Sequence, residues 1–264
     1  MTVMTIPNAP PAPVAHALLA GKRVIVTAAA GTGIGFATAK RCAEEGAHVV
    51  LSDVHERRLG DAAAQVRAIS SASVHSVICD VTRESDVEAL FGAAVEKMGG
   101  VDIVVNNAGL GGTASIIEMT DDQWSRVLDV TLTATFRCVR AALKLMIPQK
   151  SGVIVNNASV LGWRAQAGQA HYAAAKAGVM ALTRCAAIEA APANVRVNAV
   201  APSLAMHPFL SKVTSSELLH DLAAKEAFGR GAEPWEVANV IVFLASDYST
   251  YMTGEVISVS NQHA

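Results

Sequence analysis

The four cysteines of this 264-residue chain show no paired spacing. Cys42, Cys79, Cys138 and Cys185 are widely separated, and neither a CxxC nor a CxxH pattern is present. Each lies within an apolar stretch, as is typical of buried free thiols. The sequence therefore predicts reduced, buried thiols in a reducing compartment and no disulfide framework. No spacing of His, Cys, Asp and Glu indicates a metal site.

Strong net charge and long apolar runs are missing as well. The formal net charge is −2, so the chain has no broad basic field for nucleic acid or anionic lipid. No uninterrupted apolar run reaches the ~18 residues that suggest a membrane-spanning helix. Residues 1–20 contain no Lys or Arg and lack the positive start of a secretory signal. We interpret residues 1–20 as a Pro-rich arm and predict a cytoplasmic protein.

What the sequence does contain is a regular alternation of short β-rich runs and longer helical patterns. Several runs are almost continuous Val and Ile, as expected of parallel strands buried on both faces. The pattern predicts an α/β fold, with residues 21–264 forming a single doubly wound Rossmann domain around a seven-stranded, mostly parallel sheet. The predicted strands are 23–28, 48–53, 74–80, 101–107, 152–159, 195–200 and 255–260, and the predicted helices include 34–46, 83–98, 121–147 and 170–190.

A glycine-rich loop lies between the first predicted strand and the first predicted helix. Gly31, Gly33, Ile34 and Gly35 occupy this turn. Glycines let the backbone approach a pyrophosphate, whose charge is favoured at a helix N-terminus. Glycine-rich turns are common, but the position of this one makes these four residues candidates for cofactor binding.

Asp53 ends the second strand, 18 residues after Gly35. A carboxylate there accepts hydrogen bonds from the ribose hydroxyls of an adenosine and repels a 2′-phosphate. The next residue is Val54, so no base follows immediately to bind that phosphate. The sequence thus favours NAD over NADP, while a helix N-cap is the alternative role of Asp53.

Tyr172 and Lys176 lie four residues apart with alanines between them. This spacing places both side chains on one helix face, one turn apart. A nearby ammonium favours the phenolate of a tyrosine, whose unperturbed pKa is about 10. The pair is therefore a candidate acid–base unit, and an alanine-rich core helix is the alternative.

In combination, these features resemble the classical short-chain dehydrogenase/reductase family from about Gly21 to the C-terminus. Ser159 precedes Tyr172 by 13 residues and Lys176 follows by four, which is the spacing typical of that family. The other matching motifs are the glycine loop, CDVT (79–82), NNAG (106–109), YAAAK (172–176) and VRVNAVAPS (195–203).

The resemblance implies the remaining site residues. Tyr172 exchanges a proton with the substrate oxygen, Ser159 orients that oxygen, and Lys176 contacts the nicotinamide ribose. The segment after Pro202, in a substrate loop around residues 202–228, covers the nicotinamide. Further cofactor contacts implied by the family are Asp80 and Val81 at the adenine, and Asn107, Ala108 and Gly109 beside the fourth strand.

Three departures from the family pattern are present. The usual Thr-Gly of the loop is Thr27-Ala28, and the Pro-Gly after the sixth strand is Pro202-Ser203. Thr131 replaces an asparagine that, in relatives, is thought to hold a water passing protons from the lysine to solvent. We expect either a shifted water held by Thr131, or a relay through the ribose with Thr131 serving only as packing.

A narrower resemblance concerns the substrate. The segments TAAAGTGIG, SDVHERRLG, PSLAMHPFL and YMTGEVISVS are similar to an actinobacterial subgroup that includes hydroxyacyl-CoA dehydrogenases of steroid C/D-ring breakdown. The resemblance implies a bulky alicyclic hydroxyacyl-CoA. Trp163, Met206, Pro208, Phe209 and Leu210 are candidates for its apolar pocket, and Arg164 and Lys212 for its charged tail; ordinary packing and surface charge is the alternative. For His171 and His207 we expect structural roles.

The resulting prediction is an NAD-dependent oxidoreductase that transfers hydride between a secondary alcohol and its ketone. An NADPH-dependent 3-oxoacyl thioester reductase is one alternative, which Asp53 disfavours. A non-catalytic NAD-binding scaffold is another, and the intact spacing from Ser159 to Lys176 disfavours it. Helices with apolar residues on more than one face predict a homo-oligomer, and the family implies a homotetramer.

Overall fold

The computed structural model describes residues 9–206 and 216–261. Its strands are β1 (Arg23–Val26), β2 (His48–Asp53), β3 (Val74–Ile78), β4 (Ile103–Asn106), β5 (Gly152–Asn157), β6 (Val195–Pro202) and β7 (Val256–Val259). They form one sheet in the order β3-β2-β1-β4-β5-β6-β7. All six pairings are parallel. The predicted seven-stranded Rossmann-type domain is confirmed.

The helices cover both faces of the sheet. In the described part of the chain they are α1 (Ile34–Glu44), α2 (Glu56–Arg67), α3 (Glu84–Met98), α4 (Asp121–Leu128), α5 (Ala134–Gln149), α6 (Ala170–Ala190), α7 (Ser216–Lys225) and α8 (Pro234–Ala245). Successive strand residues point to opposite faces, so Val24 and Val26 pack with α1, α2 and α8, whereas Ile25 packs with α3, α5 and α6.

The order of the strands reverses between β1 and β4. These neighbours pair with each other, but β1 leads through α1 to β2 on one side, and β4 leads through α4 and α5 to β5 on the other. Connections that leave in opposite directions open a crevice at the carboxyl ends of the strands, where α/β proteins bind ligands. The predicted cofactor residues lie at this end of the sheet.

The helix predicted over 121–147 is interrupted. Between α4 and α5 the chain forms a π-helical segment, Asp129–Thr133, with Thr131 in its middle. Short π-helical segments are rare and occur frequently at functional sites. The prediction of one continuous helix over 121–147 was wrong at this segment.

The described part of the N-terminal arm, residues 9–20, lies against the C-terminal end of α1. The fully buried Glu45 accepts hydrogen bonds from the backbone N–H groups of His16 and Leu18, each at 2.9 Å. Arg41 pairs with Glu45 and donates to two backbone carbonyls of the arm. The arm is thereby attached to the helix whose other end begins at the glycine loop.

The cysteines match the prediction with one exception. Cys42, Cys79 and Cys138 are buried and free, whereas Cys185 is free but exposed. The prediction of a buried thiol at Cys185 was wrong because this residue lies outside the buried stripe of α6. Among the described helices, none is long and apolar enough to cross a membrane.

Candidate active site

The glycine loop forms a cradle above the carboxyl end of β1. Gly31 has a φ of +111°, which favours glycine. A Cβ atom on Gly35 would lie 2.3 Å from the carbonyl oxygen of Ala28 and 2.4 Å from Asn107 Nδ2, so only glycine fits there. Gly33 caps α1 without a side-chain bond, and the first turn of α1 holds no acidic residue. These uncapped N–H groups suit a pyrophosphate, so the residues present fit a dinucleotide.

Ala28 explains why the family usually has glycine at this position. Its φ is +50°, in the left-handed region that costs an L-residue about 1–2 kcal/mol. The alanine nevertheless follows the turn, and its carbonyl accepts a hydrogen bond from Asn107 Nδ2 at 3.1 Å. The departure at Ala28 preserves the path of the loop.

Asp53 connects the second strand to the glycine loop. Its Oδ2 accepts from the Ala30 N–H at 3.1 Å, and its Oδ1 accepts from the His55 N–H at 3.0 Å. His55 is the N-cap of α2, so the alternative role of Asp53 as a helix N-cap was wrong. Burial raises the pKa of Asp53, while the Ala30 N–H, the charge of Arg58 and the Val54 N–H oppose that rise.

Asp80 and Val81 lie in the turn between β3 and α3. Asp80 Oδ1 accepts from the backbone and the hydroxyl of Thr82, at 3.0 and 2.7 Å. Val81 packs against the sheet face that α3 and α5 cover. Local hydrogen bonds thus hold the turn at the carboxyl edge of the sheet, and the predicted adenine contact of these two residues stays a prediction.

The NNAG segment is held by the end of β1. Thr27 Oγ1 accepts from the N–H groups of Asn107 and Ala108, at 3.0 and 3.2 Å. A Cβ on Gly109 would lie 3.3 Å from Lys176 Nζ. The structure therefore brings the predicted cofactor residues of β4 next to the predicted catalytic lysine.

The predicted catalytic residues meet at the carboxyl end of β5. Ser159 follows β5 and caps a short 3-10 turn, where its Oγ accepts from the Leu161 N–H at 3.2 Å. Tyr172 and Lys176 lie on the first turns of α6. Lys176 Nζ donates to the carbonyl of Asn157 at 2.5 Å and lies 5.5 Å from the centre of the Tyr172 ring.

Burial governs the acid–base properties of this site. Burial raises the pKa of the Tyr172 phenol, and a hydrogen bond with Ser159 offsets part of that rise. Burial also lowers the pKa of Lys176 to about 8. In the chain alone, the phenol pKa is therefore not lowered as the sequence argument expected. The positive charges of the Lys176 ammonium and of an oxidised nicotinamide would both act to lower it.

Thr131 uses its hydroxyl to hold a backbone segment. The side chain is fully buried, and Oγ1 accepts from the Leu110 N–H at 3.0 Å and donates to the Leu110 carbonyl at 3.2 Å. Leu110 follows Gly109, the neighbour of Lys176. The structure thus shows an arrangement that neither sequence-based alternative included, in which Thr131 tethers the NNAG loop beside the lysine.

The substrate side is described only in part. His171 is buried, and its Nδ1 accepts from the Tyr172 N–H at 2.9 Å, which supports a structural role. Trp163 is half exposed after the 3-10 turn, and Pro202 is the last residue of β6. Five of the other predicted residues lie outside the described residues: His207, Pro208, Phe209, Leu210 and Lys212. Within 9–206 and 216–261, no cluster of three or more His, Cys, Asp or Glu residues could hold a metal ion.

Sequence reasoning did not identify Asn157. Its Nδ2 donates to Asn107 Oδ1 at 2.9 Å, and its carbonyl accepts from Lys176. The signal was present as a repeated triplet, NNA at 106–108 and again at 156–158. Because β4 and β5 are neighbours with Asn106 opposite Asn156, the two triplets lie side by side.

Comparisons with known proteins identify relatives of this chain. The family model described as enoyl-(acyl carrier protein) reductase matches residues 28–261. The chain is 62% identical over 261 residues to the (5R,7aS)-5-hydroxy-7a-methyl-1-oxo-2,3,5,6,7,7a-hexahydro-1H-indene-carboxyl-CoA reductase of Mycobacterium tuberculosis, covering 98% of this chain and 100% of that one. It is 37% identical to a 3-oxoacyl-[acyl-carrier-protein] reductase of Thermotoga maritima, covering 91% and 97%.

A solved structure extends the comparison to the fold. The crystal structure of a short-chain dehydrogenase from Mycobacterium smegmatis matches with a TM-score of 0.87 and 56% identity, over 97% of this chain and 99% of that one. The parallel sheet, the dinucleotide cradle and the Ser-Tyr-Lys set together define a nicotinamide-dependent oxidoreductase. The chain belongs to the short-chain dehydrogenase/reductase family.

Proposed function

We propose that this chain is an NAD-dependent dehydrogenase/reductase that interconverts a ring hydroxyl and a ring ketone on a bulky alicyclic acyl-CoA. The observation that carries the chemistry is the juxtaposition of Ser159, Tyr172 and Lys176 beside the glycine cradle. A non-catalytic scaffold does not need a half-buried tyrosine and a buried lysine and serine converging on one strand end. The complete set therefore supports an enzyme.

Each residue has a defined task in the proposed mechanism. In the oxidative direction, the Tyr172 phenolate would take the proton of the substrate hydroxyl, and in reduction the Tyr172 phenol would return it. Ser159 positions the substrate oxygen next to the phenol. Lys176 adds positive charge beneath the phenol when protonated. The bound dinucleotide supplies the hydride acceptor, or the donor in reduction.

The cofactor preference follows from Asp53. Its carboxylate stands at the end of β2 beside the glycine loop, where a ribose hydroxyl is a good donor and a 2′-phosphate is repelled. Val54 follows it without a positive charge. These features support NAD as the cofactor and argue against the NADPH-dependent alternative.

The substrate class rests on similarity and on the proposed loop. The name of the M. tuberculosis reductase specifies a methyl-hexahydroindene carboxyl-CoA, a bicycle of the kind that the C and D rings of a steroid form. The 3-oxoacyl reductase of T. maritima is far less similar, at 37% identity, so the straight-chain thioester is the weaker candidate. We assign residues 202–228 to the loop that covers the substrate.

A turnover screen tests the proposed function. Wild-type protein is mixed with NAD or NADP and with alicyclic or straight-chain hydroxyacyl-CoAs, and NAD(P)H formation is followed by absorbance. We expect the alicyclic thioester with NAD to be the best pair. The variant Tyr172→Phe is expected to lose about 100- to 10,000-fold in turnover while NADH binding stays near wild type. A near-normal rate in Tyr172→Phe, or preference for a straight-chain hydroxyacyl-CoA with NADP, would overturn the proposal.

The proposed assembly is a cytoplasmic homotetramer. Apolar side chains stay exposed on the outer helices: Phe136 and Ile147 on α5, and Ile188 with 77% of its surface exposed on α6. Faces of this kind are commonly covered by a second subunit. The four free cysteines suit a reducing compartment. Light scattering at micromolar concentration is expected to give four times the mass of the chain, and a monomeric mass would contradict the assembly.

A further inference from the structure

Two asparagines on neighbouring strands form a pair with a fixed direction. Asn107 Nδ2 lies 3.3 Å from the carbonyl of Thr27 and 3.1 Å from that of Ala28. Carbonyl oxygens only accept hydrogen bonds, so the amide nitrogen of Asn107 must face them. Asn107 Oδ1 is left to accept, and it meets Asn157 Nδ2 at 2.9 Å. The orientation of both side chains thus follows from the glycine loop.

The same residue holds the catalytic lysine by its backbone. The carbonyl oxygen of Asn157 accepts from Lys176 Nζ at 2.5 Å, and the lysine is only 3% exposed. Ser159 follows two residues later along the chain. Asn157 therefore touches the cofactor side of the site with its amide and the catalytic side with its carbonyl.

The direction of the pair leaves one acceptor without a partner. Asn157 Oδ1 is buried and makes no hydrogen bond to any part of the protein that the structure describes. A buried unsatisfied acceptor typically costs about 1–3 kcal/mol. The side-chain contact that Asn157 contributes to the pair is therefore the one made by its Nδ2.

We propose that Asn157 is a positioning residue that links the glycine loop to the catalytic lysine. The connection runs from the carbonyls of Thr27 and Ala28 through the amides of Asn107 and Asn157 to Lys176. Through it, the arrangement of the loop that binds the dinucleotide and the position of the lysine ammonium are fixed together. The inference rests on one part of the proposed function, namely that the glycine loop binds NADH.

The neighbouring residue Asn156 provides a matched control. It is fully buried, accepts from Asn106 and donates to Thr183 at 2.9 Å each, on the opposite face of the same strand. Neither of these side-chain hydrogen bonds goes to the glycine loop or to Lys176. A change there disturbs the strand end to a similar extent but leaves the proposed link intact.

The test measures NADH binding and steady-state turnover in Asn157→Leu, Asn107→Leu, the double variant and Asn156→Leu. Loss of one net hydrogen bond corresponds to a roughly 3- to 10-fold weaker NADH affinity. We expect this loss in both single variants of the link, together with a several-fold lower kcat at saturating NAD. The double variant should be no worse than the poorer single variant, because either change already breaks the link. Asn156→Leu should lower Tm yet keep NADH affinity and kcat.

Several results would overturn the link. If folded Asn157→Leu binds NADH as tightly as wild type, the link does not exist. Losses of NADH affinity that are fully additive in the double variant would also exclude the link. An equal loss of NADH affinity in Asn156→Leu would show that any disturbance of the strand end weakens NADH binding, without a specific role for Asn157. Asn157→Ser, which is too short to reach Asn107, replaces Asn157→Leu if the latter does not fold. Because NADH binding needs no substrate, failure of all hydroxyacyl-CoAs in the turnover screen would affect the proposed substrate and not this link.

Discussion

Replacing Thr131 by valine removes one oxygen atom from the centre of the site. Valine has almost the same shape as threonine, so the change creates no cavity, but it deletes both hydrogen bonds to the backbone of Leu110. Each bond contributes about 0.5–1.5 kcal/mol net, so together they contribute about 1–3 kcal/mol. At roughly 2–4 °C per kcal/mol for a chain of this size, Tm should fall by about 2–12 °C.

The hydrogen bonds from Thr131 to Leu110 should also affect the turnover rate, because Leu110 lies near the catalytic lysine. It follows Gly109, whose added Cβ would stand 3.3 Å from Lys176 Nζ. A displacement of about 1 Å near reacting groups costs up to roughly 100-fold in rate. We therefore expect kcat/KM of Thr131→Val to fall by about 5- to 100-fold. Thr131→Ser keeps the hydroxyl and serves as the control, with activity close to wild type.

The pH profile of Thr131→Val separates the tether from a proton relay. A misplaced loop lowers kcat/KM by the same factor at every pH. A relay through a water bound to Thr131 instead loses most at low pH, where the phenolate must be regenerated against protons. We expect the uniform loss. Wild-type Tm together with wild-type kcat/KM in Thr131→Val would refute the tether, and a loss confined to low pH would assign the residue to the relay.

Three further predictions concern the ends of α1 and the loop before it. In wild type, kcat/KM should be at least about tenfold higher with NAD than with NADP. Asp53→Ala should narrow that gap and also raise the NAD KM, because the Ala30 N–H loses its acceptor. Asp53→Asn should narrow the gap with a smaller rise in the NAD KM. Equal kcat/KM values for NAD and NADP in wild type would contradict the role of Asp53. Glu45→Gln leaves Arg41 buried without its countercharge and should destabilise by about 3–5 kcal/mol in urea unfolding at pH 7. Burial alone would raise the pKa of Glu45, but the N–H groups of Leu18 and His16 and the charge of Arg41 together lower it in the folded protein. The stability that ionised Glu45 contributes is therefore complete above the unfolded pKa of about 4.3 and is lost as the pH falls through the lower folded pKa. Between pH 7 and pH 3 the variant should therefore lose less stability than wild type, and equal losses would contradict this. Ala28→Gly relieves the left-handed alanine and, after the chain-entropy cost of glycine, should be neutral to about 1 kcal/mol more stable with unchanged NADH binding; clearly weaker binding would contradict it.

The sequence was sufficient for the features that local patterns encode. Inner parallel strands are buried on both faces and typically appear as runs rich in Val and Ile, which made strands such as β1, β2 and β4 predictable. Tyr172 and Lys176 are related by a single helical turn, and their proximity follows from spacing alone. Contacts between distant segments were not predictable in this way. The tether of Thr131 to Leu110 spans 21 residues and depends on a π-helical segment, and the Asn107–Asn157 pair spans 50 residues and depends on strand register.

The departures from the family motif suggest why these distant contacts matter. Ala28 adopts the left-handed conformation that a glycine would take, and Ser203 needs no glycine because its φ is not positive and its N–H continues the β6–β7 pairing through Val259. Thr131 offers one donor and one acceptor, which is what the carbonyl and N–H of Leu110 require. At all three positions the backbone fixes the requirement, and a different side chain meets it. We therefore expect a motif mismatch in this family to be best judged by the backbone groups that the residue must satisfy: Thr131 satisfies both groups of Leu110, and a valine of the same shape would satisfy neither.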